Sequence, residues 1–444
     1  MSELDRRHFL TAAAATVAGS ALDLVAIHRR LDAMTGTLTD VDRETDTGGP
    51  EIRPFHVNIP EAELVDLNRR IKATRWPEKE TVADDTQGVQ LATMQSLARY
   101  WSTDWNWRTV EAKINAQPNF ITEIDGLDIH FIHVKSKEKN ALPMIITHGW
   151  PGSIIEQMKV IGPLTDPTKY GGKAEDAFDV VIPSLPGYGF SGIPKAPGWT
   201  PVTIAKAWAT LMQRLGYTRY VAQGGDWGNS VSEVMALQTP PGLLAISTNM
   251  AATVPREISQ LLQSGGQPPA TLTPDELNAW KQLDFFYKKG LGYANEMGLR
   301  PQTLYALEDS PVGLAAWMLD HDTRSYRLIA RVFDGQKEGL TKDDILDNVS
   351  LYWFTKTAVS SARLYWDTRQ LPGTAGFFDA RGVQIPVAVT VFADEIYAAP
   401  KSWAERAYPK LLYYNKAGNG THFAAWEQPE IFVMEQRKAF KSLR

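Results

Sequence analysis

The sequence predicts an α/β protein in which a mostly parallel sheet is covered by helices and split by a helical insertion. Three observations predict it. Short apolar runs alternate with amphipathic helical patterns up to about residue 250, the same alternation returns from Ile385 onward, and the stretch between is helical. Alternating strands and helices build parallel sheets with helices on both faces. Runs that are apolar throughout, not at every second residue, suit strands buried on both sides.

Size and composition bound what such a chain does. Its 444 residues exceed the usual single domain, so one large core with accessory segments is expected. Hydrophobic residues make up 43% and aromatics 10%, enough for a sizeable core. There are 46 basic and 51 acidic residues, a net charge of −5, and no basic run suited to a phosphate backbone, so nucleic acid is not an expected partner. The chain has no cysteine, which excludes disulfides, thiolate catalysis and Cys-ligated metals but leaves the compartment open.

In chain order, Arg6-Arg7 precede His8-Phe9-Leu10, and no charged residue follows until Asp23. This Ala-rich stretch is too short to cross a bilayer core of about 30 Å as a helix. It has the length of a signal-peptide core, the arginine pair resembles a twin-arginine export signal, and Gly19-Ser20-Ala21 offers a cleavage site. Export to the periplasm or beyond is the expectation; an ordinary first helix of a cytoplasmic protein is the alternative. Residues 35–50 are polar and Gly/Thr-rich and read as a linker, so residues 1–50 form leader and linker.

Residues 51–118 read as a helical segment rich in tryptophan (Trp76, Trp101, Trp105, Trp107) that packs on something larger. Residues 119–250 form the first half of the core. Phe120 to Val134 alternates around Asp125-Gly126 as a hairpin, and Met144–Thr147, Val180–Ile182 and Tyr220–Ala222 are buried strands. A helix starts at Thr200-Pro201, carries Ile204, Trp208, Leu211, Met212 and Leu215 on one face, and stops at Gly216. Residues 251–375 form the helical insertion, with a capping box at Thr273 and Glu276. Placed between strands, it reads as a lid over their carboxyl ends, where α/β enzymes bind ligands. Residues 376–444 complete the core with strands near Ile385–Phe392 and Lys410–Tyr414 and a helix from about Gln428.

The chemistry centres on Gln223-Gly224-Gly225-Asp226-Trp227-Gly228, which follows a strand and opens a helix. Gly224 and Gly228 bracket position 226 in the Gly-x-nucleophile-x-Gly pattern, a strained turn that exposes one side chain above the sheet. An ordinary loop turn is the bland reading; the placement between strand and helix favours the nucleophile. Aspartate is already ionised near neutral pH. A carboxylate suits displacement at an sp³ carbon bearing a leaving group, so the residue type points to epoxides or alkyl halides and an ester on Asp226.

Hydrolysis of that ester needs a base, a group to orient it and oxyanion donors. His422, in a Gly-containing loop between the last strand and last helix, stands where the order nucleophile, acid, histidine puts the base. His148 competes, but His148-Gly149-Trp150-Pro151-Gly152-Ser153 suits an oxyanion loop, with the backbone N–H groups of Trp150 and Trp227 as donors. His130 and His133 alternate on a strand and read as structural. Asp394 and Glu395 both follow a late strand, and spacing does not choose between them; Asn249 is all that follows the strand before the insertion.

In combination, Arg75-Trp76-Pro77, His148 to Ser153, Pro186-Gly187-Tyr188-Gly189-Phe190-Ser191, Gly225 to Gly228 and His422-Phe423-Ala424-Ala425 resemble the microsomal-type epoxide hydrolases from about Ile52 to the C-terminus. The resemblance implies an α/β-hydrolase core, a helical lid and an N-terminal segment that wraps the core. It implies Asp226 as nucleophile, His422 as base and Glu395 as acid, with Asp394 a bystander. It also implies Tyr293 and Tyr365 as donors to the epoxide oxygen, which sequence reasoning alone does not separate from Tyr287, Tyr305, Tyr326 or Tyr352. The chain departs from the family at Ala393, commonly proline, and Thr421, commonly glycine. The implied reactants are a small apolar epoxide and water, with no cofactor, no metal and no membrane span; homo-oligomerisation is left open. The competing readings are a haloalkane dehalogenase, whose halide leaving group needs N–H donors, and an inactive binding protein on the same scaffold.

One expectation concerns the leader alone. Arg6→Lys with Arg7→Lys should retain the protein in the cytoplasm of its native host on fractionation, and an unchanged distribution would favour the helix reading.

Overall fold

The computed structural model describes residues 50–371, 378 and 382–444; the arginine pair, the leader and the linker as far as residue 49 lie outside them. One nine-stranded sheet organises the chain, with strands β1 (Arg53–Pro54), β2 (Asn119–Ile124), β3 (Leu127–Val134), β4 (Leu142–Thr147), β5 (Phe178–Pro183), β6 (Tyr220–Gly224), β7 (Leu243–Thr248), β8 (Val387–Val391) and β9 (Leu411–Lys416). Their spatial order is β1-β2-β3-β5-β4-β6-β7-β8-β9. The β2–β3 hairpin and its pairing to β5 are antiparallel, and every pair from β5 to β9 is parallel. The strands inferred from apolar runs are all present, and β6 and β8 are buried at every residue.

Register places the site. Thr147 pairs with Gly224, and Gly224 with Thr248, so β4, β6 and β7 end level with one another. The loops after these strands and after β8 and β9 therefore open at one edge, the carboxyl edge at which ligands bind in parallel sheets.

Helices α1 (Glu61–Lys72), α2 (Leu91–Thr103) and α3 (Trp107–Asn115) precede the sheet proper, and α4 (Ile154–Thr165), α5 (Pro201–Arg214) and α6 (Trp227–Gln238) cover it. The insertion between β7 and β8 carries α7 (Arg256–Gln263), α8 (Pro274–Phe285), α9 (Gly292–Leu299), α10 (Ala306–Asp309), α11 (Pro311–Leu319), α12 (Thr323–Phe333), α13 (Lys342–Thr355) and α14 (Ala358–Arg369). After β8 come α15 (Lys401–Ala407), α16 (Ala424–Glu427) and α17 (Pro429–Ala439). The Thr273–Glu276 capping box forms as the sequence predicts. Thr200 occupies the cap position of α5 without a side-chain cap bond, and Pro201 sets the first turn. Among the described residues no helix is long and apolar enough to cross a membrane.

The tryptophan-rich segment behaves differently from a simple wrapper of the core. Only β1 joins the sheet, at its edge. The helices grip the lid: Trp101 Nε1 donates to Ser350 Oγ at 3.0 Å, Trp105 Nε1 to Asp347 Oδ1 at 2.9 Å, and Tyr100 OH to Asp343 Oδ1 at 2.9 Å, all three acceptors on α13. A largely buried indole needs a partner for its N–H, and α13 supplies them.

At the β6–α6 turn, Asp226 adopts φ 51° and ψ −127°, a conformation that side chains rarely take. The turn is tight enough that a Cβ on Gly224 would collide with the Gly228 carbonyl, and one on Gly228 with the Thr147 carbonyl. Both obstacles are backbone. Gly228→Ala should therefore destabilise the fold by about 1–3 kcal/mol in urea titration, as overpacking does. Gly292→Ala, with open space around the new methyl, should not.

Candidate active site

The turn lifts Asp226 clear of the sheet yet leaves it buried. Its Oδ1 accepts from the Trp150 backbone N–H at 2.8 Å. Its Oδ2 lies 3.6 Å from His422 Nε2 and 3.9 Å from His321 Nε2. Burial alone would push the Asp226 carboxyl up. The two imidazoles and the Trp150 N–H outweigh it and hold the group below the ordinary aspartate value, ionised. Trp227 follows as the first residue of α6, at the positive end of that helix.

His422 is oriented from behind. Its Nδ1 is 2.6 Å from Glu395 Oε1, which also accepts from the Ile396 N–H at 2.8 Å. Asn249 Nδ2 donates to Glu395 Oε2 at 3.3 Å, and Gln223 Nε2 donates to Asn249 Oδ1 at 3.1 Å. Asn249, which sequence reasoning saw only as a failed candidate for the acid, thus holds the acid in place. Burial works against a charged His422, but Glu395 and Asp226 raise it well above the ordinary histidine value. The pair that spacing left unresolved separates cleanly: Glu395 is buried under His422, while Asp394 is exposed and its backbone bridges Thr421. Thr421 fits, with its Oγ1 3.3 Å from Ser325 Oγ and its N–H on the Glu427 carboxylate. The positive φ that the loop needs falls on Gly420, at 116°. Ala393 is exposed.

Tyr293 on α9 and Tyr365 on α14 descend from the lid to the same place. The Tyr293 ring stacks on Trp150 at 4.8 Å, and Tyr365 meets Trp227 edge-on at 4.7 Å. Burial, reinforced by the Asp226 charge, raises both phenols well above their ordinary value, so they stay protonated donors. A cavity of about 570 Å³ opens between Asp226 below and the two tyrosines above, walled by Val234, Met250, Phe286, Leu291 and Ile396.

Three other histidines, His148, His130 and His133, hold structure. His148 is no base: its Nδ1 donates to the Gly149 carbonyl at 2.9 Å and its Nε2 accepts from the Leu185 N–H at 3.2 Å. Burial lowers it to about 4. It shapes the loop that presents the Trp150 N–H, and a Cβ on Gly149 would run into Asp226. His130 is held by Ser184 and Asn119, His133 by Tyr217.

His321 is the residue that sequence reasoning missed. It stands in the lid between α11 and α12, buried, 4.7 Å from the His422 ring. The only local signal was the His321-Asp322 dipeptide, which also reads as a plain helix cap: Asp322 Oδ1 accepts from the Arg324 and Ser325 N–H groups. Glu156 is a second unforeseen group, a carboxyl that burial pushes up to about 8 and so keeps largely neutral beside the charged cluster.

Comparison with known proteins gives the family and the fold. Residues 52–157 match the model of the epoxide hydrolase N terminus, and residues 143–384 that of the alpha/beta hydrolase fold. The chain is 34% identical to epoxide hydrolase 1 of Sus scrofa over 87% of its own length and 88% of the pig protein's. The juvenile hormone epoxide hydrolase structure from the silkworm Bombyx mori superimposes with a TM-score of 0.78 at 31% identity, covering 89% of this chain and 95% of that one. The Aspergillus niger epoxide hydrolase structure does so with a TM-score of 0.73 at 26% identity, covering 90% and 98%. With the elbow, the lid and the N-terminal segment all in place, the chain belongs to the microsomal-type epoxide hydrolase family.

Proposed function

We propose that the protein hydrolyses small apolar epoxides to vicinal diols through an ester on Asp226. The observation that carries this reading is one buried, ionised carboxylate set between a backbone N–H and an imidazole, beneath two protonated phenols. In the first step Asp226 Oδ2 attacks a ring carbon, the ring C–O bond breaks, and Tyr293 or Tyr365 gives its proton to the departing oxygen. Two phenols above the nucleophile suit an alkoxide that needs a proton, and neither a haloalkane dehalogenase nor an inactive binding scaffold is favoured.

Ester formation changes the electrostatics of the second step. The Asp226 carboxylate is one of the two charges that raise His422. Esterification removes it, so the imidazole gives its proton to the tyrosinate left by the first step and can then accept another. Water then attacks Cγ as His422 takes its proton, and the oxyanion at Oδ1 meets the N–H groups of Trp150 and Trp227. The apolar cavity walls select an apolar epoxide but leave its identity to shape.

Isotope transfer tests the covalent step. With enzyme in excess over epoxide in ¹⁸O-water, first-turnover diol should be almost unlabelled while the peptide containing Asp226 gains label. His422→Gln should accumulate the ester, seen as a mass increase equal to the epoxide. Label entering first-turnover diol directly would make Asp226 a general base instead.

The tyrosines give a separate test of the leaving-group chemistry. Tyr293→Phe or Tyr365→Phe alone should slow ester formation by about 10²-fold or less, because one donor remains, and the double variant should nearly abolish it. Stopped-flow quenching of tryptophan fluorescence reads this step; unchanged alkylation in the double variant would assign protonation to other groups.

A further inference from the structure

The two histidines on Asp226 are arranged alike. His422 has Glu395 on Nδ1 and presents Nε2 to Oδ2 at 3.6 Å; His321 has Asp322 Oδ2 on Nδ1 at 3.2 Å and presents Nε2 to the same oxygen at 3.9 Å. A packing histidine would have both nitrogens satisfied, as His130 and His148 do. His321 Nε2 is buried with no hydrogen-bond partner, a state that costs about 1–3 kcal/mol for an ordinary polar group. It is aimed at the atom that carries the alkyl group once the ester has formed.

We propose that His321 is a second catalytic histidine, the acid that protonates Oδ2 as the diol leaves. The assignment rests on the Asp226 ester described above. Oδ1 is the oxygen bound by the Trp150 N–H and becomes the oxyanion, so Oδ2 bears the alkyl group and must depart. Water attack forms the new Cγ–O bond and sends one proton to His422 Nε2. Collapse breaks the Cγ–Oδ2 bond, and His321 Nε2–H gives its proton to Oδ2, releasing the diol. Asp226 is left as a carboxylic acid carrying the solvent oxygen; its proton returns to His321, and the proton taken from water restores the His422 imidazolium of the resting site. The cycle closes with no co-reactant besides water.

The closeness of the rings drives the handover. Two imidazolium groups 4.7 Å apart repel, so the arrival of a proton on His422 favours its loss from His321. The titratable groups facing the His321 ring are Asp320 and Asp322 on its own loop, Asp226 from the elbow, His422 from the last core loop and Tyr293 from α9. Asp322 is buried, yet His321 and His422 hold its carboxyl far below the ordinary value, so it stays a charged partner for the ring.

Single-turnover measurements with excess enzyme, styrene oxide as probe and intact-protein mass spectrometry test the proposal. His321→Gln should form the ester within a few-fold of the wild-type rate, because His422 and the Trp150 N–H still hold Asp226 ionised, and hydrolyse it about 10²-fold more slowly. Asp322→Asn keeps the helix cap and the ring but removes the charge facing Nδ1, so it too should slow ester decay more than ester formation. Ester decay at the wild-type rate in these variants would overturn the proposal. Equal slowing of ester formation and decay would also overturn it, as the mark of a packing role. Absence of any adduct on the wild-type protein would instead remove the ester reading itself.

Discussion

A single negative charge kept away from water organises the upper half of this molecule. Left alone at that depth, the Asp226 carboxyl would take up a proton and lose its nucleophilicity. It remains charged because the Trp150 N–H, His422 and His321 surround it, each brought by a different loop at the carboxyl edge of the sheet or from the lid. The same charge raises the tyrosines above it and the imidazole beside it. The two phenols and the His422 imidazole are therefore tuned against one atom pair, and esterifying it would reset all three together. Coupling of this kind orders the steps of a reaction without any moving part.

That arrangement depends on backbone proximity more than on side-chain packing. The missing Cβ atoms of Gly149, Gly224 and Gly228 are what let β4, the elbow and α6 approach to within contact distance. The level ends of β4, β6 and β7 then bring the loop N–H and the carboxylate to hydrogen-bonding range. The strained φ of Asp226 is held by a chain that is buried on either side apart from the half-buried Gly225.

Much of this was legible in the sequence, and the reasons are local. Apolar runs such as Met144–Thr147 mark buried strands because no polar face is required there. Gly224 and Gly228 mark the elbow because nothing larger fits. What the sequence withheld depends on which distant segments meet. The choice between Asp394 and Glu395 turns on strand-end alternation, one facing out and the other under His422. The role of Asn249 exists only because β7 and β8 are neighbours, and that of His321 only because the lid folds back over β6. The tyrosines came from family resemblance; among the many lid tyrosines, no local pattern distinguishes a phenol above the nucleophile from one in the lid's own core.

The hydrogen bonds from Trp101, Trp105 and Tyr100 to α13 bear on how the enzyme breathes. They tie the far half of the lid to a segment that is itself anchored at the sheet edge through β1, so the roof is braced from two sides. These bonds oppose a hinged opening of that half of the lid. The polar side chains of Gln263 and Asn295 on the α7 to α9 side, and of Arg369 at the end of α14, line the cavity together with its apolar wall, so the polar rim of the pocket lies in the half of the lid that these bonds leave untied.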